Sequence, residues 1–465
     1  MAQASHGARA RLPRPAEYPL LRGPLGDLVF RPWFDRVALG LVGRWYLPLS
    51  RAWAAGLASE GSVEGFWAAL GRGEALGALE RAWARRLLST LRVRRAACDR
   101  AAEAWEAAFF GPQAPAPEIL VARERARHGA AHRLMLARGA ALPLDLARGL
   151  PSVRWEIASP QEVDAAHGAR LGEADAAFPP PRLPEVIRSH AVPGAYGAEH
   201  WLRFPSPVLG DTAWARVYTP TSVVDPPSLI FLHGIAVETE FWRDIADALS
   251  GLAQRGIRVI RPEGPWHGRR RPEGWYGGEP ALGRGPLGLI ELFQAWVAEV
   301  AVLVAWARRT SRGPVAVAGV SLGALAAQMA VAAARRWPAQ MTPDAALLAA
   351  TSGALLEVAK HGSLAHAIGL WPRMQAAGWD EAEMARWLPL IEPRGAPGVA
   401  PERLVMLLGE ADDLTPFAGG LDLARRWGVP GENLFLRPRG HFSVWFALGR
   451  DPAPLERLLA LLGRN

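Results

Sequence analysis

The pattern of apolar and polar positions changes along this 465-residue chain. Up to about residue 150, apolar residues recur at three- and four-residue intervals, which predicts amphipathic helices. One such series is Trp33, Val37, Leu41 and Trp45. Residues 151–197 are rich in proline, glycine and alanine, and we interpret them as a linker or a wrapping segment. From residue 198 onward, short apolar runs alternate with helical stretches to the end of the chain.

This alternation predicts an α/β fold with a mostly parallel sheet and helices on both faces. A hairpin is expected first, from strands at 200–204 and 212–218 with turn residues between them. Further strands are predicted at 228–232, 257–261, 315–320, 344–350, 404–408 and 434–436. Right-handed crossovers place the carboxyl ends of parallel strands along one edge of the sheet, where a site is expected.

Residues 353–400 interrupt the alternation with a helical insert that contains Trp371, Trp379 and Trp387. We expect this insert to form a lid over the site. The predicted organisation is therefore a helical N-terminal region at 1–150, a linker at 151–197, and an α/β domain at 198–465 that carries the insert.

Composition narrows the class of partner. The net charge is +8 and the sequence pI is near 10.5, which would permit anionic partners, yet no nucleic-acid recognition motif is present. We therefore expect no nucleic-acid partner. Cys98 is the only cysteine, which excludes an intrachain disulfide and a multi-cysteine zinc site. Neither a metal nor a cofactor is expected.

The N-terminus lacks the apolar core of a secretory signal, and the chain contains no run of eighteen apolar residues. We therefore expect a cytoplasmic protein. The aromatic residues of the helical region are interpreted as core. As an alternative, they could face a membrane surface or a partner protein.

One candidate for chemistry is Gly319-Val-Ser-Leu-Gly323, between a predicted strand and an alanine-rich helix. This is the pattern of a nucleophile elbow, in which a strained turn exposes a serine hydroxyl. Glycines two positions on either side are needed because side chains there would crowd the neighbouring strand and helix. Ser321 is therefore the candidate nucleophile, and it requires a base to accept its proton.

A histidine and a carboxylate follow at later strand ends. His441 comes just after the last predicted strand and is the candidate base. The preceding strand ends at Gly409-Glu-Ala-Asp-Asp-Leu-Thr-Pro416, which offers Asp412 and Asp413 as the carboxylate that would orient the imidazole.

These motifs, together with His233-Gly234, occur along the chain in the same order as in the α/β-hydrolase superfamily. Residues from about 198 to 465 resemble that superfamily. The resemblance assigns the acid to Asp412, because a proline follows four residues later. It also implies an oxyanion hole made by the backbone N–H groups of Leu322 and Ile235. It does not cover the first 190 or so residues.

The loop at 263–272 is expected near the site. His267 is a candidate substrate contact, with packing within the loop as the alternative. Arg269 and the two arginines after it could bind a carboxylate or phosphate of a substrate, or form a solvated run of charge.

Together these features predict a serine hydrolase that cleaves an ester, thioester or amide of a small-molecule acyl substrate through an acyl-enzyme. The tryptophans of the insert favour an apolar acyl group. Two alternatives remain: an acyltransferase with the same three residues, and a non-catalytic scaffold that binds a partner or a membrane surface.

Overall fold

The computed structural model describes residues 11–12, 26, 29–172, 177–236 and 249–463. Its N-terminal region is helical, as predicted, and contains a π-helical turn at Val42–Tyr46. The α-helices are α1 (Pro32–Leu41), α2 (Leu47–Ala58), α3 (Val63–Ala69), α4 (Ala78–Phe110), α5 (Pro117–Leu136) and α6 (Leu142–Arg148). The apolar pattern predicts separate helices at 76–83 and 101–110. The structure instead has one continuous helix, α4, and no proline interrupts residues 78–110.

The segment 151–197 is more structured than a linker. It contains helix α7 (Pro160–His167) and the short strands β1 (Ile187–Arg188) and β2 (Val192–Gly194). A capping box on Ser159 starts α7, and Val163 is fully buried in the main core. The segment thus contributes one short helix to the main core and two short strands to the sheet.

The strands form one mixed sheet. The remaining strands are β3 (Gly197–Pro205), β4 (Thr212–Thr219), β5 (Ser228–Leu232), β6 (Arg258–Pro262), β7 (Val315–Val320), β8 (Ala345–Ala349), β9 (Leu404–Gly409) and β10 (Leu434–Arg437). Among the described residues the strand order is β1-β3-β4-β6-β5-β7-β8-β9-β10, with β2 also paired to β3. Strands β6 to β10 and β5 are parallel, whereas β3 and β4 form the predicted antiparallel hairpin. The predicted fold class is confirmed.

Helices connect these strands and cover both faces. They are α8 (Glu279–Gly283), α9 (Pro286–Thr310), α10 (Leu322–Ala333), α11 (Leu355–His361), α12 (Ser363–Ile368), α13 (Leu370–Ala376), α14 (Glu381–Trp387), α15 (Phe417–Arg426), α16 (His441–Phe446) and α17 (Ala453–Leu461). Helices α11 to α14 form the insert predicted at 353–400. The apolar pattern also predicts a helix at about 241–255, most of which lies outside the described residues. Within them, Ser250–Arg255 form a 3₁₀ helix.

Alternate residues of the central strands face two cores. Ile230 and Leu232 pack on the side of α9 and α10, while Leu229 and Phe231 pack on the side of α17. Helix α9 is long and apolar enough to cross a bilayer by length and composition, but 78% of its apolar window is buried inside the protein. In this structure α9 is therefore a core helix.

The helical N-terminal region packs directly on the sheet. Trp105 and Phe109 of α4 lie 5.3 and 4.8 Å, ring to ring, from Trp201 of β3. Deeper in, the buried Arg51 of α2 forms an ion pair with the buried Glu279 of α8 at 3.0 Å. A charge pair without solvent is costly to break from one side, so these contacts tie the helical region to the α/β domain.

One buried histidine gives a test of acid sensitivity. His200 of β3 is 2% exposed, and neither ring nitrogen has a hydrogen-bond partner among the described residues. Burial lowers the pKa of His200 to about 3. The pKa of His200 is lower in the folded protein than in the unfolded chain, so the unfolded chain binds a proton first as the pH falls. The contribution of neutral, buried His200 to stability is therefore full above about pH 6.5 and is lost as the pH falls toward the folded pKa.

We therefore expect His200→Phe to make the protein less sensitive to acid. Between about pH 6 and pH 4 the slope of unfolding free energy against pH should decrease by about 1.4 kcal/mol per pH unit, which corresponds to one fewer proton taken up on unfolding. Urea unfolding across this range measures the slope. His361→Gln, at a side chain that is 62% exposed, is the control that should leave the slope unchanged. An unaltered slope in His200→Phe would show that His200 does not cause the loss of stability in acid.

Candidate active site

Ser321 stands at a sharp turn between β7 and α10. Its backbone has φ of 55° and ψ of −127°, a region that a residue with a side chain rarely adopts. The flanking glycines make the turn possible. A Cβ on Gly319 would lie 2.3 Å from the carbonyl oxygen of Gly323, and one on Gly323 would lie 2.2 Å from the carbonyl oxygen of Leu232. The turn has the strained geometry that exposes a nucleophile.

The loop after β5 runs beside Ser321. A Cβ built on Gly234 would lie 3.5 Å from the Cβ of Ser321, so the Gly234–Ile235 backbone borders the serine side chain. Leu322 is the first residue of α10, where an N–H group has no partner within its own helix. The backbone N–H groups of Ile235 and Leu322 therefore belong to two elements that border Ser321.

Ser321, His441 and Asp412 form a continuous hydrogen-bonded series. The Nε2 atom of His441 lies 2.9 Å from the hydroxyl oxygen of Ser321. Its Nδ1 atom lies 2.8 Å from Oδ2 of Asp412. His441 and Asp412 are 5% and 6% exposed, so water competes little for these bonds. The arrangement can move a proton from the serine hydroxyl to an imidazole held by a carboxylate.

The second oxygen of Asp412 is also fixed. Its Oδ1 accepts N–H bonds from Leu414 and Thr415 at 3.0 and 2.9 Å. The hydroxyl of Thr415 lies 2.9 Å from Oδ2 and 3.2 Å from Nδ1 of His441. Asp413 is exposed and accepts a bond from the Ser363 hydroxyl at 2.9 Å instead. The structure therefore brings Asp412, and not Asp413, to the histidine.

Two further histidines lie behind the oxyanion loop. His233 is buried, with Nδ1 2.8 Å from the carbonyl oxygen of Gly234 and Nε2 accepting the N–H of Gly264 at 3.0 Å. Burial lowers the pKa of His233 to about 4, so the ring is neutral and ties the β5 loop to the β6 loop. His267 is fully buried against it, with ring centroids 4.8 Å apart. Burial lowers the pKa of His267 well below its usual value.

This placement favours the packing interpretation of His267 over contact with substrate. The arginine loop is placed similarly. Arg269 forms an ion pair with Glu263 at 2.8 Å and lies over the rings of Trp105 and Trp214. Arg270 is buried and pairs with Glu299 at 2.7 Å. Both cations have protein partners. Glu299 lies on α9, outside the loop, so the loop pattern alone could not predict the pair with Arg270.

Arg269 also lines a cavity of about 350 Å³ between α2, α4, α5 and the loop at 263–275. Its lining includes Trp53, Cys98, Arg127, Arg271 and Trp275, and none of Ser321, Asp412 or His441. Arg269 therefore does not belong to the group around Ser321. Among the described residues, no group of three or more histidine, cysteine or acidic side chains could hold a metal ion.

Three further residues near the site are not among the predicted site residues. Thr415 is within the motif that ends at Pro416, and its hydroxyl could have been predicted from its spacing to Asp412. Tyr46 donates a hydrogen bond to the carbonyl oxygen of Ala236 at 2.7 Å, and Asp35 accepts bonds from the helix that begins at His441. Both belong to the helical N-terminal region, far from the motifs in sequence.

A parallel sheet, an elbow serine and a histidine–carboxylate pair at successive strand ends are the features of an α/β-hydrolase. The model of the "Alpha/beta hydrolase family" matches residues 229–461, which is half of the chain. The chain belongs to this family and is a hydrolase. A comparison with curated proteins found no match.

The chain is similar to many solved structures, including the following three. Acetyl xylan esterase 1 from Thermoanaerobacterium sp. JW/SL YS485 is 16% identical, with 66% of this chain and 96% of that chain covered and a TM-score of 0.43. Acetyl xylan esterase from Paenibacillus sp. R4 is 15% identical, with 67% and 96% covered and a TM-score of 0.44. An S-formylglutathione hydrolase from Agrobacterium tumefaciens is 16% identical, with 60% and 100% covered and a TM-score of 0.39.

Proposed function

We propose that this hydrolase cleaves a carboxylic ester, or a related thioester or amide, through an acyl-enzyme on Ser321. The observation that carries the proposal is the hydrogen-bonded series from Ser321 through His441 to Asp412, at 2.9 and 2.8 Å. Such a series activates a hydroxyl that would otherwise be a weak nucleophile. The positive φ at Ser321 adds a second, independent sign of a functional serine.

The reaction has two halves. Ser321 attacks the carbonyl carbon while its proton passes to Nε2 of His441, and Asp412 stabilises the imidazolium that forms. The negative charge on the carbonyl oxygen is met by the N–H groups of Ile235 and Leu322. His441 then protonates the leaving group, which departs, and the acyl group stays on Ser321. Water, activated by His441, releases the acid and restores the serine.

Apolar side chains beside these loops support an apolar acyl group. Ile235 of the oxyanion loop and Leu414 of the acid loop pack on one cluster with Leu364 and Ile368 of α12 and Val42 of the π-helical turn. Ile235 and Leu414 are only partly buried, so they can also face a ligand. In this proposal α12 serves as part of the lid and the cluster forms the wall of the acyl site.

The proposal is tested by labelling with a fluorophosphonate probe, followed by peptide mapping. We expect the label on Ser321 and none on Ser321→Ala. Undiminished labelling of Ser321→Ala would overturn the acyl-enzyme. The absence of any labelling in folded wild-type protein would favour the non-catalytic scaffold. Added alcohols would reveal an acyltransferase through formation of a new ester in place of free acid.

Acyl preference gives a separate prediction. Because each buried methylene contributes about 0.8 kcal/mol, kcat/KM should rise roughly fourfold per added methylene until the acyl site is filled. A series of p-nitrophenyl esters from acetyl upward measures the trend. Ile368→Ser should reduce the ratio of long-chain to short-chain activity, because Ile368 packs on the apolar cluster. A steady decline from acetyl upward would contradict the apolar acyl site.

A further inference from the structure

Helix α1, more than 400 residues before His441, contacts the helix that begins at this histidine. Oδ1 of Asp35 accepts the backbone N–H groups of Phe442 and Ser443 at 2.6 and 3.0 Å. Oδ2 accepts a bond from the Ser443 hydroxyl. Asp35 is 7% exposed, so solvent does not replace these bonds. The first-turn N–H groups of α16 thus find their acceptor on a distant helix.

The sequence at the N-terminus of α16 leaves space for the carboxylate of Asp35. Residue 440, at the N-cap of α16, is glycine and has no side chain that could accept those N–H groups itself. A Cβ at Gly440 would lie 2.4 Å from the carboxyl carbon of Asp35. Asp35 therefore occupies the place where a capping side chain would stand, and any larger residue at 440 would displace it.

Aromatic packing holds the two helices together. Phe30, just before α1, stacks on Phe446 at 5.8 Å, and Phe34 meets the same ring edge-on at 6.2 Å. Arg439, two residues before His441, donates to the carbonyl oxygen of Phe30. The N-terminal region thus contacts α16 at its last residue, Phe446, and at Arg439 just before its start.

We propose that Asp35 is a positioning residue for His441, a role that rests on the proposed function. By fixing the first turn of α16, its carboxylate holds the imidazole at hydrogen-bond distance from Ser321 and Asp412. The helical N-terminal region is then part of the catalytic apparatus: it sets the geometry of the base without contact with substrate. This gives residues 1–150 a function that the α/β domain cannot supply for itself.

The test compares kcat, KM and the rate of fluorophosphonate labelling in variants of the full chain. Asp35→Ala should lower kcat and the labelling rate by roughly 10- to 100-fold, because small displacements of a catalytic group have effects of this size. KM should stay within about twofold, since Asp35 does not contact the substrate. Ser62→Ala, which removes the N-cap of α3 in the same region, is the matched control and should leave kcat unchanged.

Two conservative variants separate geometry from charge. Both backbone bonds go to Oδ1, so Asp35→Asn can keep them and should retain most of kcat. Asp35→Glu keeps the charge but adds a methylene in a space with no room for it, and should lose activity. A requirement for charge alone would reverse this order. If Asp35→Ala fails to fold, the activities of Asp35→Asn and Asp35→Glu still show whether the geometry or the charge of residue 35 matters for kcat.

Several outcomes would overturn the inference. One is wild-type kcat and labelling in a folded Asp35→Ala, as judged by circular dichroism and melting temperature. Another is an equal loss of kcat in Ser62→Ala, which would show that general destabilisation is responsible. Absence of labelling in the wild-type protein itself would instead overturn the proposed function, and the positioning role with it.

Discussion

Ser321→Ala is expected to lower kcat for ester hydrolysis by at least about 10⁴-fold, with KM little changed. The hydroxyl is the atom that bonds to the substrate, and no other described side chain is placed to replace it beside Nε2 of His441. Any residual activity would come from direct attack by water on a substrate whose carbonyl oxygen is held in the oxyanion hole. Steady-state kinetics with a chromogenic ester measures the loss. A decrease of less than tenfold would mean that another residue carries the reaction.

Substitution of Ser321 by glycine should raise the stability of the protein although it abolishes activity. Ser321 has φ of 55°, which costs about 1 kcal/mol or more for a residue with a Cβ and nothing comparable for glycine. Ser321→Ala keeps the Cβ and therefore the strain, so its melting temperature should match that of the wild type. Ser321→Gly removes the Cβ, and we expect it to be both inactive and more stable. Equal stability of the two variants would show that the strain does not exceed the roughly 0.4–1 kcal/mol that glycine costs through the entropy of the unfolded chain.

Much of the α/β domain could be predicted from sequence because its signals are local. A run such as Ser228-Leu-Ile-Phe-Leu232 can only be a buried strand or a buried helix segment, and its length and the glycine after it favour a strand. Parallel strands then place their carboxyl ends at one edge. This brings Ser321, Asp412 and His441 together without any knowledge of the distances between them.

The rest of the site could not be predicted, because it depends on pairs that lie far apart in sequence. Asp35 looks like an ordinary first-turn acid of α1, a position that acidic residues favour in any helix. Its role depends on a glycine at 440, which by itself is only part of a loop. Arg270 illustrates the same limit, since its partner Glu299 lies on another element and places one arginine of the run in a buried ion pair.

The choice between the two adjacent aspartates gives the second large prediction. Asp412→Asn should lower kcat by about 10⁴-fold. The reason lies in the other carboxylate oxygen, Oδ1, which accepts the N–H groups of Leu414 and Thr415. The amide oxygen of an asparagine must take that place, because an NH₂ group there would face two donors. The NH₂ group then faces Nδ1 of His441 and forces the proton onto Nε2, so the imidazole can no longer accept a proton from Ser321.

Asp413→Asn is the matched control, one residue away and with the same chemical change. Its side chain is exposed, and among the described residues its carboxylate accepts a hydrogen bond from the Ser363 hydroxyl, which an amide oxygen can also accept. We therefore expect kcat within about threefold of the wild type. Comparison of the two variants under one assay, with melting temperatures to exclude unfolding, assigns the acid. A large loss in Asp413→Asn with activity retained in Asp412→Asn would reverse the assignment, and equal small losses would mean that His441 needs no carboxylate. Because the two residues share a loop, only the direction of the carboxylate separates these outcomes, and in this structure that direction is set by the backbone N–H groups of the turn that follows Asp412.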